Sequence, residues 1–312
     1  MYALRKPARR SAEIEYMRPN YKLIAMLLIV ATVVPAAGTE TAAFASVSWN
    51  PHEIKVGSPC LFKVEMAALP SSLKGKWQGR DVVFFSTGQR HVWYALAGVD
   101  VETTPGNYQL ALEATMPDGR VIPSVQEVRV WPSAYKTEKL KVPTRFVQPD
   151  AEALKKIEAD KELKKKAFSH ESPEPEWSGM FHPPINSTVS EAFGTRRTFN
   201  GKLASIHRGL DYHALEGTPI LAANTGTVVL AGDLFYEGNC VIIDHGQQFM
   251  TLYMHLSRIQ VTEGEKVKEG QEIGLSGATG RATGPHLHVA VHWQGAYLDP
   301  AQLWMLSLPI LP

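Results

Sequence analysis

Four histidines and one aspartate in the last third of this 312-residue chain have the types and spacings that a hydrolytic metal centre requires. His207 and Asp211 occur in HRGLD, His255 in TLYMHLS, and His286 with His288 in GPHLHVAV. Imidazole and carboxylate are standard zinc ligands, and a zinc that activates water takes three of them and keeps one place open. Five candidates exceed that set. The surplus is two imidazoles, which titrate near neutral pH and suit acid–base chemistry. A purely structural zinc would instead be closed by four ligands. No HExxH helix is present, so no glutamate base arrives with the ligands.

The elements that must position these groups follow from their surroundings. His286 and His288 are two apart in an apolar run, so on a strand both side chains point to one side. His255 ends another apolar run and reaches the same cavity if the two strands are neighbours. Asp211 follows His207 by four, a helical interval, but Gly209 lies between them and no helical pattern surrounds them, which favours a loop or a strand start. Gly280, Gly284 and Pro285 lead into His286 and set the backbone ahead of it. Arg196, Arg197 and Asn200 in FGTRRTFNG, and Tyr236 in DLFYEGN, are candidates for a groove wall, although loop structure and solvation account for each of them better than contact with substrate. Of the chain's eleven histidines, His213, His245 and His292 are read as bystanders, and His170 and His182 as linker or surface residues.

The chain is long enough for two domains. Its net charge of +1 provides no polyelectrolyte field, so no nucleic-acid partner is expected. Residues 1–45 read as a leader, either a signal peptide or a membrane anchor. Their apolar run LIAMLLIVATVV (23–34) is short for a span and follows Arg18 and Lys22. MRPNYKLIAMLLIV makes a compact signal by itself, which places the expected translation start at Met17. Residues 46–132 alternate β-branched and aromatic residues in runs at 60–66, 81–85, 91–97, 107–114 and 125–131. Turn formers separate them, the pattern of an immunoglobulin-like β-sandwich. Residues 133–176 form a charged linker, with Glu152–Lys156, Asp160–Lys164 and Glu162–Lys166 at helical i,i+4 spacing and only a thin apolar side. Residues 177–312 are Gly-rich and strand-like again, with apolar runs at 218–223, 226–232, 240–245, 249–255 and 286–293 suited to an antiparallel sheet buried on both faces. Eight basic against eleven acidic residues in this segment leave recognition to shape and hydrogen bonds. Cys60 and Cys240 fall in different segments and are expected as buried free thiols.

From SEAFGTRRTFNG through HRGLDYHA, GTPILAANTGTVVLAG, GNCVIIDHG, TLYMHLS and VKEGQEIGLSGATGRATGPHLHVAV to LDP, the chain resembles the lysostaphin/LytM-type zinc metallopeptidases that cut peptide bonds in bacterial peptidoglycan. The resemblance covers about residues 181 to 300. It implies that His207, Asp211 and His288 hold Zn2+ and that His255 and His286 are the catalytic pair. It also implies an exported endopeptidase, in the periplasm or cell envelope, acting on peptidoglycan peptide stems and cross-bridges. The alternative reading is an inactive relative that binds or activates another wall hydrolase; such domains lose ligands or catalytic histidines, and all five are present here. The fold class expected is mainly β: the N-terminal sandwich and the C-terminal antiparallel metallopeptidase sheet, joined by the charged helical linker.

Overall fold

A computed structural model describes residues 43–140, 149–199 and 203–311. The leader's apolar run, Met17 and Asn200 lie outside the described residues. Among the described residues strands dominate, as the mainly-β expectation requires, and no helix is long and apolar enough to cross a membrane.

In the first half two sheets face each other. One is Phe44–Asn50, Pro59–Met66 and Val92–Gly98; the other carries Ser72–Trp77, Gly106–Thr115 and Val121–Trp131 with two short edge strands. Phe62 of the first sheet and Trp77 of the second are both fully buried and meet edge-to-face at 5.4 Å between ring centroids. The strand Ser72–Trp77 was not legible in advance, because Gly75 interrupts its alternation. Leu73, Gly75 and Trp77 nevertheless point inward while Lys74 and Lys76 point out. Gly75 leaves room for the Phe84 ring, which a Cβ would approach to 3.0 Å.

The second half is built on an eight-stranded sheet whose main path runs Val189–Glu191, Leu210–His213, His286–Trp293, Phe249–Leu256, Gly238–Asp244, Gly226–Leu234 and Lys266–Val267. Its central strands are apolar on both faces because both faces are covered. Val241 and Ile243 join the main core shared with the sandwich, whereas Cys240 and Ile242 face a second cluster with Leu252, Met250 and Ala167. Alternate residues of one strand therefore reach different cores. The short strands at Val189–Glu191, Arg196–Phe199 and Leu203–Ile206 escaped the sequence reading, since three or four residues are too few to show a period, while Leu210–His213 is one of the two forms, loop or strand start, open at Asp211.

Helix α1 (Ala151–Phe168) begins at Asp150, whose side chain accepts the Ala153 N–H, and carries Lys165 and Lys166 in its last turn, complementing the helix dipole. The helix foreseen from its charge pairs is present, but among the described residues none of the three foreseen pairs is an ion pair: within the helix Lys156 meets Asp160, Lys161 meets Glu158 and Lys165 meets Glu162. Lys166 reaches Glu263 and Lys164 reaches Glu237, both on the C-terminal half, and Phe168 stacks on His292 at 3.9 Å. The helix thus lies against the large sheet. Ahead of it, Thr137–Leu140 pairs in parallel with Arg196–Phe199, which is itself hairpinned to Leu203–Ile206 just before His207.

Candidate metal centre

Sheet register brings the five residues together. Asp211 on Leu210–His213 is the direct cross-strand partner of His288 on His286–Trp293, so their side chains start as nearest neighbours. His286, two residues earlier, faces the same way. Phe249–Leu256 flanks the other edge of that strand, with Met254 opposite His288, and delivers His255 beside them. His207 leaves the strand Leu203–Ile206 and is pinned by its own N–H donating to the Thr195 carbonyl.

The three atoms that converge most tightly are His207 Nε2, Asp211 Oδ1 and His288 Nδ1. Their separations are 2.9 Å, 3.0 Å and 2.6 Å. The His207 Nδ1–H donates to the Ala192 carbonyl at 2.9 Å, which fixes the tautomer and leaves the Nε2 lone pair facing the carboxylate. Two acceptors aimed at each other across 2.9 Å call for a cation between them. Two imidazole nitrogens and one carboxylate oxygen form a donor set that fits zinc. A glycine makes the geometry attainable: a Cβ on Gly209 would collide with the His288 ring and the Val289 carbonyl.

The shell behind the cluster is charged. Arg197 forms a two-pronged pair with Glu191 and reaches Asp211 Oδ2 at 3.0 Å, leaving Oδ1 for the cluster. Arg197 was read only as a groove-wall candidate, and Glu191 was not singled out. Their sequence context, EAFGTRR, gave no signal that the two meet around the aspartate.

His255 and His286 stand beside this cluster, 4.7 Å apart between ring centroids, and His286 Nε2 lies 4.0 Å from Asp211 Oδ1. Each is anchored the same way. The His255 Nδ1–H donates to the Thr279 carbonyl and the His286 Nδ1–H to the Gly284 carbonyl, both at 2.8 Å. Each therefore keeps an Nε2 lone pair free of that bond. His255 is held at φ +63, a left-handed conformation that costs a non-glycine residue about 1–3 kcal/mol. Burial, reinforced by the neighbouring His288 and His286 rings, lowers its pKa to about 3, so it is neutral at neutral pH. Gly280, at φ +69, packs against the Gly238 backbone and keeps the Thr279 carbonyl in place.

A groove of about 260 Å³ opens over the cluster, with His207, His255 and His288 on its floor and Tyr236, Arg197 and Lys164 among its walls. Arg196 lies instead on the sandwich side of the hairpin. The remaining histidines stay out of the groove. His245 is buried between Thr225 and Thr251, His292 stacks on Phe168, His170 meets Asp244 at 2.7 Å, His182 pairs with Glu269 at the surface, and His213 is exposed. Both cysteines are buried and free, and burial pushes their thiols up.

Comparison with known proteins agrees with this geometry. The profile of peptidase family M23 matches residues 205–300. The peptidoglycan DD-endopeptidase ShyA of Vibrio cholerae is 46% identical over 108 residues, 34% of this chain and 25% of that protein. ShyC, a peptidoglycan DD-endopeptidase of the same organism, is 45% identical over 114 residues, 36% of this chain and 26% of that protein. The chain thus spans about a quarter of the length of these curated relatives. The crystal structure of a Pseudomonas aeruginosa chain described as a peptidase M23 is similar over 81% of this chain and 95% of that one, at 30% identity and a TM-score of 0.63.

Proposed function

Since this chain belongs to peptidase family M23, we propose that it is a zinc endopeptidase that hydrolyses peptide cross-links of bacterial peptidoglycan. His207, Asp211 and His288 hold the metal, and His255 and His286 are the catalytic pair. The observation that carries this reading is the convergence of His207 Nε2, Asp211 Oδ1 and His288 Nδ1 on the floor of an open groove, with two further imidazoles beside them. The names of the curated relatives, which act on peptidoglycan, supply the substrate class. Peptidoglycan lies outside the cytoplasmic membrane, which fits the leader expected at the N-terminus, although the strand Phe44–Asn50 takes the last two residues of the 1–45 range into the sandwich.

Zinc at such a site polarises a carbonyl and lowers the pKa of water toward about 7. The chain's own residues supply the rest. The Arg197 and Glu191 pair keeps the Asp211 carboxylate turned to the cluster. His255 and His286 present Nε2 lone pairs from rings whose orientation the Thr279 and Gly284 carbonyls fix. One ring accepts the proton of the attacking water. Once protonated, it returns that proton to the leaving amine, and the other ring lies within reach of the carbonyl oxygen.

The test combines bound metal with turnover. His255→Ala is expected to retain stoichiometric zinc while clearing of purified sacculi slows by about a hundredfold or more. Mass spectrometry of products from defined muropeptides identifies the bond cut. A zinc-loaded wild-type protein that releases no product, yet stimulates a separate wall hydrolase, would replace this reading with that of a binding relative.

A further inference from the structure

Helix α1 presents Lys156, Asp160 and Lys164, one every four residues, to the turn after the strand Gly226–Leu234. Lys156 Nζ donates to the Asp233 carbonyl at 2.8 Å, Asp160 Oδ2 accepts the Phe235 N–H at 2.6 Å, and Lys164 pairs with Glu237. Asp160 and Glu237 have side chains only 7% and 13% exposed, so these bonds are not the weak pairs of an open surface.

The turn so held is the one that supports His255. The Glu237 carbonyl accepts the His255 N–H at 2.8 Å, where the backbone is left-handed, and the Tyr236 carbonyl accepts the Arg281 N–H at 2.8 Å, tying the turn to the segment whose Thr279 carbonyl orients the His255 ring. A chain of direct contacts therefore runs from Lys164 through Glu237 to His255. Helix α1 lies outside the stretch matched by the family profile, residues 205–300.

We infer that Lys164 is a positioning residue: helix α1, through Lys156, Asp160 and Lys164, sets the 233–237 turn and thereby the placement of the His255 imidazole. The inference rests on the reading of His255 as a catalytic histidine. The segment joining the two β halves is then a working part of the groove, and its removal costs activity even though all five metal-site residues remain.

The experiment uses the full chain with Lys164→Glu, the milder Lys164→Gln, and the swap Lys164→Glu with Glu237→Lys. Lys165→Glu is the control, since that side chain is 77% exposed. Hydrogen exchange of the His255 amide reads the bond to Glu237 directly, without turnover. It is expected to speed up about tenfold or more in Lys164→Glu, less in Lys164→Gln, and not at all in the control. On muropeptide, kcat is expected to fall about tenfold to a hundredfold with bound zinc unchanged, as a displaced catalytic group predicts. The swap should restore both readouts. Exchange at His255 equal to that of the control, or a swap that restores nothing, overturns the inference. If the wild type cleaves no muropeptide but its His255 exchange responds as stated, the positioning holds and the catalytic reading is what fails.

Discussion

The two halves of this molecule are both β, yet they bury different things. Among the described residues, the sandwich's buried polar group is Ser58, whereas the second half and helix α1 bury Asp160, Thr195, His207, Asp211, Asn224, Asp244, His245, Gln247, Thr251, His255, Ser276 and His292. The sandwich's own histidines, His52 and His91, are exposed. A polar group withdrawn from water costs free energy unless a partner replaces the water. Around His207, Asp211, His245 and His255 the second half meets that requirement with carbonyls, a hydroxyl and an arginine, and what it obtains is a set of imidazoles whose nitrogens point in chosen directions; Gln247 and His292 Nδ1 are buried without such a partner. The sandwich core rests chiefly on apolar packing, with the Trp77 Nε1–H bond to the Gly98 carbonyl inside it; the metal centre stands on polar contacts.

The largest expected effect tests whether the polar half can lose one member. Asp211→Ala and His288→Ala should each drop bound zinc well below one per chain and wall lysis to background, as metal analysis and turbidity will show. Full zinc in either variant would break the contrast at its centre. Next, Trp77→Ala in the sandwich should lower unfolding free energy by about 3–5 kcal/mol in denaturant titration, because it empties a fully buried site and loses the hydrogen bond to the Gly98 carbonyl. Zinc content and turnover per folded molecule should hold. A fall in both would mean that the halves do not divide the labour this way.

The third prediction concerns acid. Burial lowers the His245 pKa to about 4, below its unfolded value of about 6.5. The unfolded chain therefore binds the extra proton first as pH falls. This residue's contribution is complete above about pH 6.5, is lost progressively toward pH 4, and amounts to about 3 kcal/mol. Urea midpoints at pH 7.5 and 4.5 should show a steeper acid loss for the wild type than for His245→Gln, and parallel curves would refute the assignment. The smallest effect is expected at Arg197, whose removal leaves Asp211 in place but unbraced. Arg197→Ala should weaken zinc affinity about tenfold to a hundredfold by competition with a chelator, and Arg197→Lys should recover only part, since one ammonium cannot reproduce a two-pronged pair.

Much of this was legible before the fold. The strand His286–Trp293 was readable in full, because a run of apolar residues with histidines two apart carries both an element type and a direction. The neighbouring strand that carries His255 was readable for the same reason. The strand before His207 was not, being too short to show a period, and at Asp211 the sequence left a loop or a strand start open. Glu191, the Thr279 carbonyl and Glu237 were missed because a carbonyl has no sequence signature and a lone acid in a loop resembles any solvated charge. Lys156, Asp160 and Lys164 showed their four-residue spacing plainly, and Asp160–Lys164 was read as an i,i+4 pair on a solvated helix. Lys164 in fact spends its charge on Glu237, a partner 73 residues away.

The sequence by itself determined the composition of the centre: which side chains carry lone pairs, that there are more than a metal needs, and that the strands bearing His255, His286 and His288 are apolar enough to be buried. Only the tertiary structure decided which atoms face one another, which nitrogen of each ring is tied to a carbonyl, and that a charged helix far from the motifs braces the turn behind His255. The division is physical. Residue type and period are local properties, whereas direction and partner depend on register between strands and on packing between elements distant in the chain.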